Sequence, residues 1–164
     1  MRSFESLTEQ EILALAISQE EEDARIYDDF ADGLKENYPA QAEKFAQMRR
    51  EEDGHRHRLI ELYRDRFGEH IPLIRGQDVR GFMRRRPVWL LRPLGLKAVQ
   101  KAAEGMELET KRFYEVAARR SADARLCSSF LCPIVALFPP SSPSALFRLF
   151  TKVTITVKNH HPLL

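Results

Sequence analysis

The sequence predicts an all-α protein, an antiparallel bundle of long amphipathic helices, and three observations carry that prediction. Apolar residues recur at intervals of three and four along three long segments, which is the spacing of one helical face. Helix-start and helix-stop residues stand at the ends of those segments. Glutamates and a histidine fall inside the apolar stripes, where bundle proteins place metal ligands.

Thr8-Glu9-Gln10-Glu11 has the form of a capping box, in which a hydroxyl and a carboxylate satisfy free amides at a helix start, so a first helix begins at Glu9. Leu13, Ala16, Ile17, Glu20, Ala24, Tyr27, Ala31 and Leu34 form its inward stripe, and it runs to about Glu36. Asn37-Tyr38-Pro39 breaks the chain, with Pro39 suited to a first helical turn, and a second helix runs on to Gly68, placed as a C-terminal cap. Its seam is Phe45, Met48, Glu52, His55, Leu59 and Leu62, so the two helices pair as an antiparallel hairpin. Residues 68–95 form a long connection broken by Pro72, Pro87 and Pro93, with a short helix expected over Asp78 to Arg84. A third helix follows from about Leu96 to Arg120, turning Val99, Ala103, Glu107, Thr110, Tyr114 and Ala117 to one side.

With 164 residues and 43% hydrophobic content, the chain has room for one compact domain with a core. Its 26 basic and 24 acidic residues nearly cancel, so net charge gives no reason to expect a polyanionic partner. Cys127 and Cys132 have no second cysteine pair near them, which argues against a zinc ribbon or a disulfide framework and for a reducing cytoplasm. The amino terminus lacks an apolar signal region, and the longest apolar run, Phe130 to Phe138, is half the length that spans a bilayer. Composition changes after Asp123: all 24 acidic residues precede that point and none falls in the last 41 positions. An even mixture would place about six there. Residues 1–123 are therefore expected to form the helical domain, and 124–164 an atypical tail of the kind left by truncation or a shifted reading frame.

Sliding the chain against itself by 87 residues superimposes Ala16 on Ala103, Glu20 on Glu107, Glu22 on Glu109, Arg25 on Arg112, Tyr27 on Tyr114 and Ala31 on Ala118. The first and third helices are thus alike, and each carries Glu-x6-Tyr. That spacing sets a tyrosine two turns beyond a glutamate on one face, where its hydroxyl can hydrogen-bond a carboxylate of the site. The second helix adds Glu52-Asp53-Gly54-His55, whose Glu and His are neighbours one turn apart and can grip one ion together. An ionised carboxylate on an apolar seam costs several kcal/mol without a partner, a cost that a bound cation removes. Glu20, Glu52, His55 and Glu107 are accordingly the expected metal ligands. Against this stands the reading of Glu20-Glu21-Glu22-Asp23 as an ordinary solvated acidic run. Glu104 and Glu109 read either as accessory ligands or as helix-surface charges. His57 and His70 show no partner pattern and read as surface residues.

This constellation resembles the ferritin-like di-iron carboxylate proteins, rubrerythrins in particular, over roughly residues 8–120. Within that group, Gln19-Glu-Glu-Glu-Asp-Ala-Arg25, Glu51-Glu-Asp-Gly-His55 and Arg66-Phe-Gly-Glu-His-Ile-Pro-Leu-Ile74 look like the ferritin domain of membrane-bound ferritins. The resemblance implies a ferritin-like antiparallel bundle that binds iron, with a role in iron sensing, oxidation and export beside a membrane. It also implies a second Glu-x2-His on a fourth helix. The offset of 87 instead carries Glu52 to Pro139 and His55 to Ser142, so that helix is expected to be incomplete or replaced by the tail.

Three glutamates and one histidine suffice for one iron, whereas a di-iron centre takes about six protein ligands, which leaves mono- and dinuclear centres both open. Zinc can take the same donors. Three amphipathic helices leave an apolar face for a partner, so a homodimer is expected. Oxygen or peroxide is the expected small-molecule substrate, and peroxidase turnover through a rubredoxin-like centre is disfavoured because Cys-x4-Cys cannot supply four thiolates. Rival readings are a non-catalytic iron-sensing domain and a purely structural helical dimer. Between Arg75 and Lys97, seven basic residues with Phe82, Trp89, Leu90 and Leu91 interleaved read either as a membrane-surface contact at the inner face or as a solvated crossover. No helix-turn-helix, zinc or RNA-recognition pattern accompanies that charge, so no nucleic-acid partner is expected.

Overall fold

The computed structural model describes residues 2–80 and 95–122, and three long helices dominate them: α1 over Glu9–Leu34, α2 over Pro39–Phe67 and α3 over Leu96–Ala122. The starts and stops have local causes. Thr8 accepts the Glu11 amide while the Glu11 carboxylate accepts the Thr8 amide at 2.8 Å, which is the capping box in full. Arg2 reinforces it by pairing with the same carboxylate, and together these contacts pull the Glu11 pKa down to about 2. Pro39 occupies the first turn of α2, where its missing N–H costs nothing.

Gly68 ends α2 at φ 84 and ψ −173, a region open to glycine almost alone. Gly68→Ala is therefore expected to destabilise the fold by roughly 1–3 kcal/mol, read as the midpoint of denaturant unfolding. An unchanged midpoint would show that the helix end can re-form in another geometry.

α1 and α2 form the antiparallel hairpin, and α3 lies against α1. All eight inward positions expected for α1 are buried. Along α2, Phe45, Glu52, His55 and Leu59 are buried while Met48 and Leu62 are half-buried. The fully buried neighbour of Leu62 is Tyr63, whose hydroxyl accepts from Gln10 at 2.7 Å and donates to the His70 carbonyl at 2.9 Å.

Apolar residues gather in two clusters separated along the helix axes. One holds Phe4, Leu7, residues 12–17, Leu59, Tyr63, Ile74, Val79, Phe113 and Ala117. The other holds Ile26, Phe30, Leu34, Phe45, Val99 and Met106. Between them in sequence, on every helix, come the buried polar residues: Gln19, Glu20 and Asp23 on α1, Glu52 and His55 on α2, Thr110 on α3. The core is thus apolar at both ends with a polar layer between, and close packing at the ends shields that layer from water.

The crossover departs from expectation. Asp78 closes a 3-10 turn over Gly76–Asp78, and Val79–Arg80 form a short strand (β2) paired in parallel with Arg2–Ser3 (β1), so no helix starts at Asp78. The cause is packing: extended backbone drops the β-branched Val79 into the cluster with Phe4 and Ile74, while the Asp78 carboxylate folds back to accept the Arg75 amide at 3.0 Å. The rest of the expected short helix, most of the basic 75–97 segment with Trp89, and the tail with its cysteines lie outside the described residues. Among the described residues no helix is long and apolar enough to cross a membrane.

Candidate metal centre

Glu20 and Asp23, three residues apart on α1, face inward, while Glu21 and Glu22 between them face outward, so the acidic run divides by helical phase. Glu20 is 1% exposed, Glu52 8% and His55 7%. One ligand atom from each of these three lies within 4.8 Å of the others. His55 Nδ1 is the nitrogen that faces both acids, 2.9 Å from Glu52 Oε2 and 3.3 Å from Glu20 Oε2. Glu52 and His55 meet because they are one turn apart on α2, and α1 brings Glu20 to them across the hairpin.

α1 and α3 contribute a reciprocal pattern. The Tyr114 hydroxyl donates to Glu20 Oε1 at 2.5 Å, and the Tyr27 hydroxyl donates to Glu107 Oε1 at 2.5 Å. Each copy of Glu-x6-Tyr therefore hydrogen-bonds the other copy, which requires the two helices to run antiparallel. Burial, followed by the charges of the neighbouring carboxylates, pushes both phenols well above their ordinary range and keeps them neutral donors.

The carboxylates divide one shortage between them. Burial raises Glu20, but His55, Glu52 and the Tyr114 hydroxyl outweigh it and hold the acid below its ordinary value. Burial and then the charge of Glu20 push Glu52 well above its own. The pair therefore sheds one proton readily and holds the other, as two acids sharing one site do. Among the described residues, Glu20 Oε2 is buried and has no hydrogen-bond partner. A carboxylate pair, an imidazole nitrogen and a buried oxygen lacking a donor fit a divalent cation of intermediate softness such as iron.

The expected site residues separate as follows. Glu20, Glu52 and His55 converge. Glu107 is half-buried, lies outside the close trio and is held by Tyr27, near enough to raise Glu52 through its charge. Glu104 is exposed and Glu109 half-buried, and neither joins the trio. His57 and His70 are exposed. Sequence reasoning missed Asp23, 4% exposed, and Gln19, 3% exposed, which donates to it at 3.1 Å. The signal for Asp23 was the repeat itself, since the offset of 87 carries it onto Thr110, an inward position of the third helix.

Compared with known protein families, residues 11–131 match the family model of rubrerythrin. The chain belongs to the rubrerythrin family. The match covers α1, α2, the crossover and α3, so the buried trio lies in the part of the rubrerythrin domain this chain shares with its family. Membership agrees with the ferritin-like bundle and points to non-haem iron as the metal. No curated protein and no solved structure matches the chain significantly.

Proposed function

We propose that this rubrerythrin-family chain binds Fe(II) through Glu20, Glu52, His55 and Glu107 and lets oxygen or peroxide oxidise it, in iron homeostasis or oxidative-stress defence. The observation that carries the reading is the convergence of ligand atoms from Glu20, Glu52 and His55 in a water-poor layer. Iron is here the substrate. Each Fe(II) gives up one electron, and two of them with two protons reduce one peroxide to two waters.

The residues contribute in different ways. Carboxylate oxygens stabilise the higher charge of Fe(III) and so favour oxidation, while His55 keeps one ligand position neutral. Glu52 releases its proton as the cation arrives, which makes it the group that couples metal entry to proton transfer. Tyr27 and Tyr114 hold Glu107 and Glu20 from the far helix and thereby fix the direction of their second oxygens.

Two finer readings belong to the same proposal. A homodimer rests on the sequence pattern alone, three amphipathic helices whose stripes leave an apolar face for a partner. Service beside a membrane iron exporter rests on the three motifs that look like the ferritin domain of membrane-bound ferritins.

Anaerobic loading with Fe(II), followed by air, tests the proposal. Uptake of one or two irons per chain and their rapid conversion to Fe(III) are the expected results. Iron that binds and stays ferrous in air would leave a reversible iron-sensing domain instead, and no uptake would remove the metal reading altogether. Sedimentation of the same sample at micromolar concentration tests the dimer, which a monomeric mass would overturn.

A further inference from the structure

Three hydrogen bonds cross from α1 to α3 in consecutive rungs: Glu20 with Tyr114, Asp23 with Thr110 and Tyr27 with Glu107. The outer two involve glutamates proposed as ligands, whose carboxylates must answer to an ion. The middle rung does not. The Thr110 hydroxyl donates to Asp23 Oδ2 at 3.1 Å, and Gln19 Nε2 donates to Asp23 Oδ1 at 3.1 Å, so both oxygens of this buried carboxylate are already held.

The position of this rung in the repeat explains its composition. Residues 23 and 110 are equivalent under the offset of 87, and they face each other midway between the reciprocal Glu and Tyr pairs. A residue at such a place meets its own counterpart. Two aspartates would set two buried negative charges against each other, and two threonines would lack the charge-assisted bond. One donor and one acceptor suit the place, and here the two copies of the repeat differ in that way. A slip of one helix turn, about 5.4 Å, would part this rung and misdirect both tyrosines at once.

We propose that Asp23 and Thr110 are positioning residues of the metal centre, a register pin that holds α3 against α1 where each tyrosine reaches the glutamate of the opposite helix. This rests on the metal-binding reading of the site. The pin acts without touching the ion: it keeps the glutamates aimed while the metal enters or leaves.

Anaerobic Co(II) titration of the full chain tests it, with the visible spectrum of the bound cobalt as a second readout of ligand geometry. Thr110→Val, which keeps the volume and removes the hydroxyl, is expected to weaken cobalt binding about 10- to 100-fold and to alter the spectrum. Thr110→Ser is expected to restore both. Tyr63→Phe serves as the structural control, because it removes hydrogen bonds to Gln10 and His70 in the apolar cluster rather than in the site. It is expected to lower thermal stability with cobalt affinity unchanged. Thr110→Ala, which cannot overpack, takes the place of valine should that variant fail to fold. Wild-type affinity and spectrum in the hydroxyl-free variant, or equal weakening in Tyr63→Phe, overturn the pin alone. A wild-type chain that takes up no cobalt overturns the functional reading and the pin with it.

Discussion

Replacing Glu52 with glutamine is expected to weaken divalent-metal binding by about two orders of magnitude while leaving the metal-free chain at least as stable as the parent. The two halves have one cause. Four-ligand structural zinc sites are worth roughly 10–16 kcal/mol, so on that scale losing one of the four proposed ligands removes about 3 kcal/mol, or a factor near 100. In the metal-free chain, however, Glu52 is the strained member of the pair, raised by burial and by the charge of Glu20. A glutamine amide has the shape of the protonated acid and keeps a donor toward Glu20 without having to hold a proton, so the variant escapes that strain. The melting temperature of the metal-free variant is accordingly expected to equal or exceed that of the parent. Calorimetric titration and thermal unfolding of both proteins check the pair of effects. A variant that loses metal and stability together would mean that Glu52 supports the fold rather than the site.

How much of this was legible in the sequence depends on whether the cause of each feature is local. The start of α1 is written in Thr8 and Glu11, the start of α2 in Pro39 and its end in Gly68, because caps and turns act over three or four residues. The inward stripes were equally readable, since period alone sets which side chains share a face. Asp23 was passed over, because an aspartate beside three glutamates looks solvated until the repeat sets it against the inward Thr110. The pairing of Arg2–Ser3 with Val79–Arg80 was not readable: two residues have no periodicity, and their partners lie far away in the chain. Val79 illustrates the general point, as an isolated β-branched residue reads as part of a weak helix until Phe4 and Ile74 supply the pocket that fixes it as a strand. Glu107 falls between these cases, because its stripe and repeat were plain while its distance from the close trio depends on how α3 sits.

Metal affinity is expected to rise with pH, about tenfold per unit, for as long as Glu52 must lose a proton to bind. Burial first, and the Glu20 charge second, hold that proton on Glu52 above the ordinary value of 4.5, so binding releases a proton at any pH below the raised value. The stability of the metal-free chain follows with its sign fixed by linkage. For Glu52 the folded value is raised, so the native state holds more protons than the unfolded chain above pH 4.5, and stability falls as pH climbs from there through the raised value. Glu20, held below its ordinary value, acts in the opposite sense and in a different window, since its contribution is lost only as pH drops through the lowered value. The first slope is identified because Glu52→Gln abolishes it. Titration calorimetry in buffers of different ionisation enthalpy counts the protons, and melting curves from pH 4.5 upward read the slope. Affinity that stays flat with pH, with no proton released, would mean that Glu52 is already ionised before the metal arrives, and the sharing of one proton between the two buried acids would have to be abandoned.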